Sequence, residues 1–174
     1  MDIVIRQETP EDYDAVYVLT KAAFAEEEHA DGDEQDIAPR LRLQESYLPE
    51  LSLVAELDGQ IVGHILFTEI TVGGQPALCL GIVSVLPERK RQGIGAALIH
   101  RGHEVAKGLG FSACVLVGHE DYYPRFGYEI ASQYGISFPF DAPDMCKMVK
   151  FLHEDGKAIR GLVVLPPELV PEGS

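Results

Sequence analysis

At 174 residues, 46% of them hydrophobic, the chain is long enough to bury one continuous core, and a single domain is expected. Fourteen basic against 28 acidic side chains leave a net charge of −14, which repels phosphate backbones and anionic headgroups and argues against nucleic acid and membrane surfaces as partners. No apolar run approaches the ~18 residues of a membrane span, the start Met1-Asp2-Ile3-Val4-Ile5-Arg6 lacks the features of a signal peptide, and the scattered Cys79, Cys114 and Cys146 form neither a disulfide framework nor a zinc motif. A cytoplasmic protein without a metal is expected.

Residues 3–5 read as a short first strand. Thr9-Pro10-Glu11-Asp12 then supplies an N-cap, a proline at the first helical position and an acid three residues after the cap, so a helix is expected to about residue 24, with Val16, Leu19 and Ala23 buried. Residues 26–36 carry seven acidic side chains, Glu26, Glu27, Glu28, Asp31, Asp33, Glu34 and Asp36, and read as a solvated loop. A second helix is expected over 37–46, interrupted or started by Pro39. Strands over 51–57, 61–72 and 77–86 are joined by Asp58-Gly59 and Gly73-Gly74, both strong hairpin signals.

A helix follows Gly95, with Leu98, Ile99, Gly102, Val105, Ala106 and Leu109 on its apolar face and His100, Arg101, His103, Glu104 and Lys107 on the polar one. His100 and His103 are spaced as metal ligands, but no third ligand is in pattern, and they read as a solvent-facing pair. A buried strand over 113–117, a short helix within 118–128 closed by Gly127, and further strands over 145–152 and 159–165 complete the chain. This order predicts a mixed α/β sheet with helices packed on it.

Arg89-Lys90-Arg91-Gln92-Gly93-Ile94-Gly95-Ala96 lies between the strand ending in Val83-Ser84-Val85-Leu86-Pro87 and the amphipathic helix. Closely spaced glycines at a helix start let backbone N–H groups converge, and together with the positive end of the helix dipole they suit a diphosphate. A tight turn beside a solvated basic face fits the same residues. A dinucleotide fingerprint is excluded, because Leu98 stands where a third glycine or alanine belongs; a P-loop is excluded because Gly-Lys-Ser/Thr is absent.

These residues resemble the donor-binding signature of the GNAT acyltransferase superfamily, in which Gln/Arg-x-x-Gly-x-Gly/Ala follows the central strand. Tyr123-Pro124-Arg125-Phe126-Gly127-Tyr128 resembles its second landmark, Tyr-x-x-x-Gly-Phe, and is similar to an uncharacterised bacterial subgroup of predicted N-acetyltransferases. The element order over 3–128 matches as well, with one departure: Lys90 holds the leading Gln/Arg position.

The resemblance implies a GNAT fold over residues 1–174, with a mixed, mostly antiparallel central sheet and helices on both faces. It implies an N-acetyltransferase with acetyl-CoA as donor, acting on a primary amine of a small molecule, peptide or protein in a ternary complex, and it leaves room for a homodimer. Val83 and Val85, flanking Ser84, would offer backbone groups to the pantetheine arm; Gln92, Gly93, Ile94, Gly95 and Ala96 would wrap the pyrophosphate, with charge from Lys90 and Arg91. Strands 77–86 and 113–117 would splay to admit the donor, and a backbone N–H near Val85 would meet the thioester carbonyl. Tyr123 would protonate the departing thiolate, with Tyr122 its competitor. For the base, a water relay, His119, Glu120, Glu69 and His64 all stay open, the last two also reading as members of a solvated sheet face. A catalytically silent acyl-CoA-binding module is the competing function class; Tyr123 favours the enzyme.

Overall fold

The computed structural model describes residues 2–25, 27 and 32–170. They form two compact units, Met1–Phe67 with Ile82–Gly102 and Thr68–Gly81 with His103–Ser174.

In the first unit, β1 (Ile3–Gln7) leads into a single 3₁₀ turn at Pro10–Asp12 and α1 (Tyr13–Phe24). The Thr9-to-Asp12 start works as its residue types require: the Asp12 carboxylate accepts the Thr9 backbone N–H at 2.8 Å and takes a two-pronged Arg6 guanidinium at 2.8 and 2.9 Å. Hydrogen bonding from Arg6, above all, holds the Asp12 carboxyl down at about 2. Val16, Leu19 and Ala23 form the buried face of α1. Of the acidic segment, Glu34–Asp36 makes a 3₁₀ turn, whereas Glu26, Glu28 and Asp31 lie outside the described residues.

The helix expected over 37–46 is shorter: α2 spans only Ile37–Leu41. After the Arg42 N–H to Ala38 carbonyl bond the chain tightens to i→i−3 bonds at Leu43 and Gln44, and the helix ends. β2 (Tyr47–Leu57) returns antiparallel to β1, with Ile3 opposite Leu57 and Gln7 opposite Leu53.

β3 (Gln60–Val72) and β4 (Gln75–Val85) follow through two-residue turns, at Asp58-Gly59 with φ of 52° and 79° and at Gly73-Gly74 with φ of 57° and 82°. Positive φ at both turn positions gives the hand that matches strand twist. α3 (Ile94–Gly108) lies close on β3: a Cβ on Gly63 would stand 2.9 Å from both Ile94 and Leu98, and one on Gly102 would strike the Phe67 ring.

In the second unit the chain passes through β5 (Ala113–Val117), β6 (Glu129–Ile130), β7 (Ile136–Ser137), β8 (Lys147–Phe151) and β9 (Gly161–Val164). β4 runs parallel to β5 at Leu78–Cys114 and Cys79–Val115, and β8 pairs antiparallel with both β5 and β6. Its core includes Ile70, Val72, Ala113, Val115, Ile136 and Val149. Overall strand order is β1-β2-β3-β4-β5-β8-β6, with β9 pairing β3 and β7. The fold is mixed α/β with a mostly antiparallel sheet, as expected.

Two assignments on α3 need correcting. His103, expected in solvent, is buried at 7% exposure, because its Nε2 meets the Tyr128 hydroxyl at 2.9 Å; Leu109, expected inside, is 45% exposed in the turn that ends the helix. None of the helices among the described residues is long and apolar enough to cross a membrane.

Candidate active site

In the first unit, β4 ends where the Leu86 N–H bonds the Val62 carbonyl at 3.0 Å, and a single 3₁₀ turn over Pro87–Arg89 redirects the chain. Arg91 then adopts φ of 65°, a left-handed conformation that strains a residue with a Cβ, and Gly93 follows at 84°. The first bond of α3 runs from the Ala97 N–H to the Gly93 carbonyl at 3.0 Å. The N–H groups of Ile94, Gly95 and Ala96 therefore have no acceptor within the helix. Gly93 has no side chain to cap them, and a Cβ there would meet only open space.

A glycine with nothing in front of it, uncapped N–H groups, a helix of 15 residues and the nearby cations Lys90 and Arg91 together fit a diphosphate. Lys90 Nζ pairs with Glu27 at 3.3 Å, but both side chains are nearly half exposed, so the pair holds little energy. Ser84 is buried, its hydroxyl bonding Thr20 of α1 at 3.4 Å, while Val83 and Val85 face the other way and stay partly open. Ser84 thus leaves only its backbone for a ligand.

In the second unit, a 3₁₀ turn at Tyr123–Phe126 ends on Gly127 with φ of 94°. The Tyr123 ring meets Tyr122 and Tyr128 edge-on, with centroids 5.1 and 5.9 Å away, and lies against Gly118 just past β5. Its hydroxyl has no hydrogen-bond partner among the described residues. Burial pushes the Tyr123 phenol above its ordinary value, so it stays protonated and able to donate. Tyr122 instead carries the Arg125 guanidinium 4.8 Å over its ring.

Tyr128, where the motif has phenylalanine, donates its O–H to Cys114 Sγ at 3.2 Å and meets His103 at 2.9 Å. The network locks one neighbour of Tyr123 in place.

The candidate bases differ sharply. His119 and Glu120 are exposed, and Cys146 donates its S–H to Glu120 at 3.1 Å, holding that carboxyl low. Glu69 lines a cavity of about 420 Å³ with Leu109, Gly110 and Asp155. His64 is fully buried rather than on a solvated face, because a polar cluster receives it: Ser52 Oγ lies 3.0 Å from its Nε2 and Glu8 Oε2 lies 3.7 Å away.

Glu8 in turn pairs with Arg42 at 2.6 Å, and the Arg42 guanidinium stacks 3.9 Å over the Tyr13 ring. The sequence reading missed Glu8, Ser52 and Arg42. Their signal was a polar residue inside an apolar strand, Ser52 within Leu51-Ser52-Leu53-Val54 and His64 within Val62-Gly63-His64-Ile65.

Residues 4–131 match the family model described as an acetyltransferase (GNAT) domain. The chain belongs to the GNAT acetyltransferase family. It is therefore an acyltransferase enzyme, and its relatives carry matching names. It is 35% identical over 136 residues to the uncharacterised N-acetyltransferase YjhQ of Escherichia coli K12, covering 74% of this chain and 75% of that one. A GNAT acetyltransferase from Brucella melitensis, crystallised with acetyl-CoA, is 33% identical and superposes with a TM-score of 0.80 over 96% of this chain and 97% of its own. YhbS of Escherichia coli, crystallised with CoA, shares the fold at a TM-score of 0.88 and 24% identity, covering 98% of this chain and 93% of its own.

Proposed function

We propose that this GNAT protein is an acetyl-CoA-dependent N-acetyltransferase, one domain over residues 1–174, that acetylates a primary amine of a small molecule or peptide by direct attack. The observation that carries the proposal is the uncapped glycine turn opening α3, which has the donors and the open space a diphosphate needs. The Brucella relative, crystallised with acetyl-CoA, supports the choice of donor.

In this scheme the N–H groups of Gly93, Ile94, Gly95 and Ala96 bind the pyrophosphate, with Gln92 leading into the turn and Lys90 and Arg91 adding charge. Val83 and Val85 offer backbone groups to the pantetheine arm as a strand edge does to an added strand, with Ser84 between them turned inward. The N–H near Val85 polarises the thioester carbonyl, stabilising the oxyanion that forms when the amine attacks. Tyr123 gives its phenolic proton to the departing thiolate.

Replacing Tyr123 by phenylalanine keeps the ring and removes the proton. Thiol release from acetyl-CoA over a panel of amines should show kcat reduced at least ~10-fold in Tyr123→Phe, with donor affinity unchanged. Tyr122→Phe should lose much less. Full activity in Tyr123→Phe refutes the role of Tyr123, and donor binding without thiol release on any amine refutes the transferase assignment.

A further inference from the structure

We propose that His64 is the proton acceptor for the incoming amine, taking the proton on Nδ1, and that Ser52 and Glu8 hold its ring in the tautomer that leaves Nδ1 unprotonated. This rests on the acyl transfer proposed above.

Hydrogen counting sets the tautomer. A serine hydroxyl has one proton, and that of Ser52 goes to Glu8 Oε1 at 2.8 Å. Its contact with His64 Nε2, at 3.0 Å, must then be an Nε2–H donating to Ser52 Oγ. The lone pair lies on Nδ1, which is buried and has no hydrogen-bond partner among the described residues. A bare buried acceptor is costly, and such an atom calls for an explanation, a catalytic role or a bound water among them.

The charges around the ring act in opposite directions. Glu8 on one side favours an imidazolium and Arg42 opposes it, while Tyr13 stacks on Arg42 and the Tyr47 phenol stands near Glu8. Burial, the largest influence, holds His64 down to about 4, so the resting ring is neutral near neutral pH and its Nδ1 lone pair is free. Protonation at Nδ1 would give a cation whose Nε2–H already points at Ser52 and the Glu8 carboxylate. His64 also stands two residues along β3 from Val62, whose carbonyl holds the end of donor strand β4 at 3.0 Å.

In the step, an N–H bond of the bound ammonium breaks and an Nδ1–H bond forms, directly or across one bridging water. The electron pair left on nitrogen attacks the thioester carbon. Collapse of the adduct breaks the C–S bond, Tyr123 protonates the sulfur and regains a proton from the acylated nitrogen, and the Nδ1 proton leaves to solvent after release.

His64→Gln tests this, because the glutamine amide N–H reaches about where Nε2 stands and keeps a donor for Ser52 while removing the basic nitrogen. Near neutral pH it should bind acetyl-CoA like the parent and lose ~10²-fold or more in kcat. Its kcat/KM for the amine should climb about tenfold per pH unit toward the amine's own pKa, as only the free base reacts, while the parent stays flatter. A kcat within about threefold of the parent, or equal pH slopes, overturns the proposal. Should the variant fail to fold, the ¹⁵N signal of His64 Nδ1 in the labelled parent decides: it should report an unprotonated nitrogen that shifts when CoA and an amine are added together, and no shift overturns the proposal. A parent that releases no thiol with any amine defeats the acyl transfer itself, a distinguishable failure.

Discussion

Gly118 offers a way to move Tyr123 without touching its chemistry. The residue follows β5, donates its N–H to the Cys146 carbonyl at 2.9 Å, and is not among the glycines held at positive φ, so alanine suits its backbone. A Cβ there would stand 2.5 Å from Tyr123 Cε2 and 3.0 Å from Cδ2. Ordinary carbon contacts lie at ~3.5–4.0 Å, so the ring must retreat by about 1 Å. Tyr122 and Tyr128 brace the ring on two edges, so the retreat displaces the hydroxyl rather than spreading through a soft neighbourhood.

A ~1 Å misplacement costs up to ~10²-fold, and the loss through Tyr123 cannot exceed that of deleting the hydroxyl, so Gly118→Ala should lower kcat by ~10-fold to ~10²-fold. Overpacking of ~1–3 kcal/mol, partly offset by lower unfolded-state entropy, should still leave a folded protein. The assay is thiol release with donor KM and thermal unfolding measured in parallel, repeated in the Tyr123→Phe background. There the effect of Gly118→Ala should largely vanish, because the two changes act through one hydroxyl. Unchanged kcat in a folded Gly118→Ala, or an undiminished loss in the double variant, refutes the reasoning.

Gly95→Glu places an acid in the first turn of α3, where the helix dipole tolerates it, but aims it at the pyrophosphate. The variant should melt like the parent and show no acetyl-CoA shift in a thermal titration; a parental shift would remove the diphosphate assignment. Asp12 folds with a carboxyl at about 2 against 3.8 in a free chain, so its stabilisation is complete above the unfolded value and is lost as pH falls through about 2. With Arg6 a third exposed, that amounts to roughly 1–2 kcal/mol, and Asp12→Asn should lower the melting temperature at neutral pH and flatten the acid limb below about pH 4. His64 works in the same direction at higher pH: its value is lowered from 6.5 to about 4, so the unfolded chain binds the proton first and stability should fall as pH falls across that window. His64→Gln should abolish that slope in urea titrations; an unchanged slope would mean the ring is not buried neutral.

Local chemistry was legible without the fold. Thr9-Pro10-Glu11-Asp12 starts a helix, Asp58-Gly59 and Gly73-Gly74 make hairpins, and Gly127 closes its turn, because each depends on residues a few positions apart. The glycine turn after β4 and the Tyr123 frame carried the family for the same reason. Tertiary structure alone decided which polar side chains go inside. Helical periodicity put His103 in water, and only Tyr128, 25 residues on, supplies the hydroxyl that lets it be buried. Glu8, Arg42, Ser52 and His64 come together over separations of 34 and 44 residues, beyond any spacing rule. Burying a charge or an imidazole is unfavourable until such distant partners arrive, so the site's polar interior is a property of the assembled sheet, not of any segment of the chain.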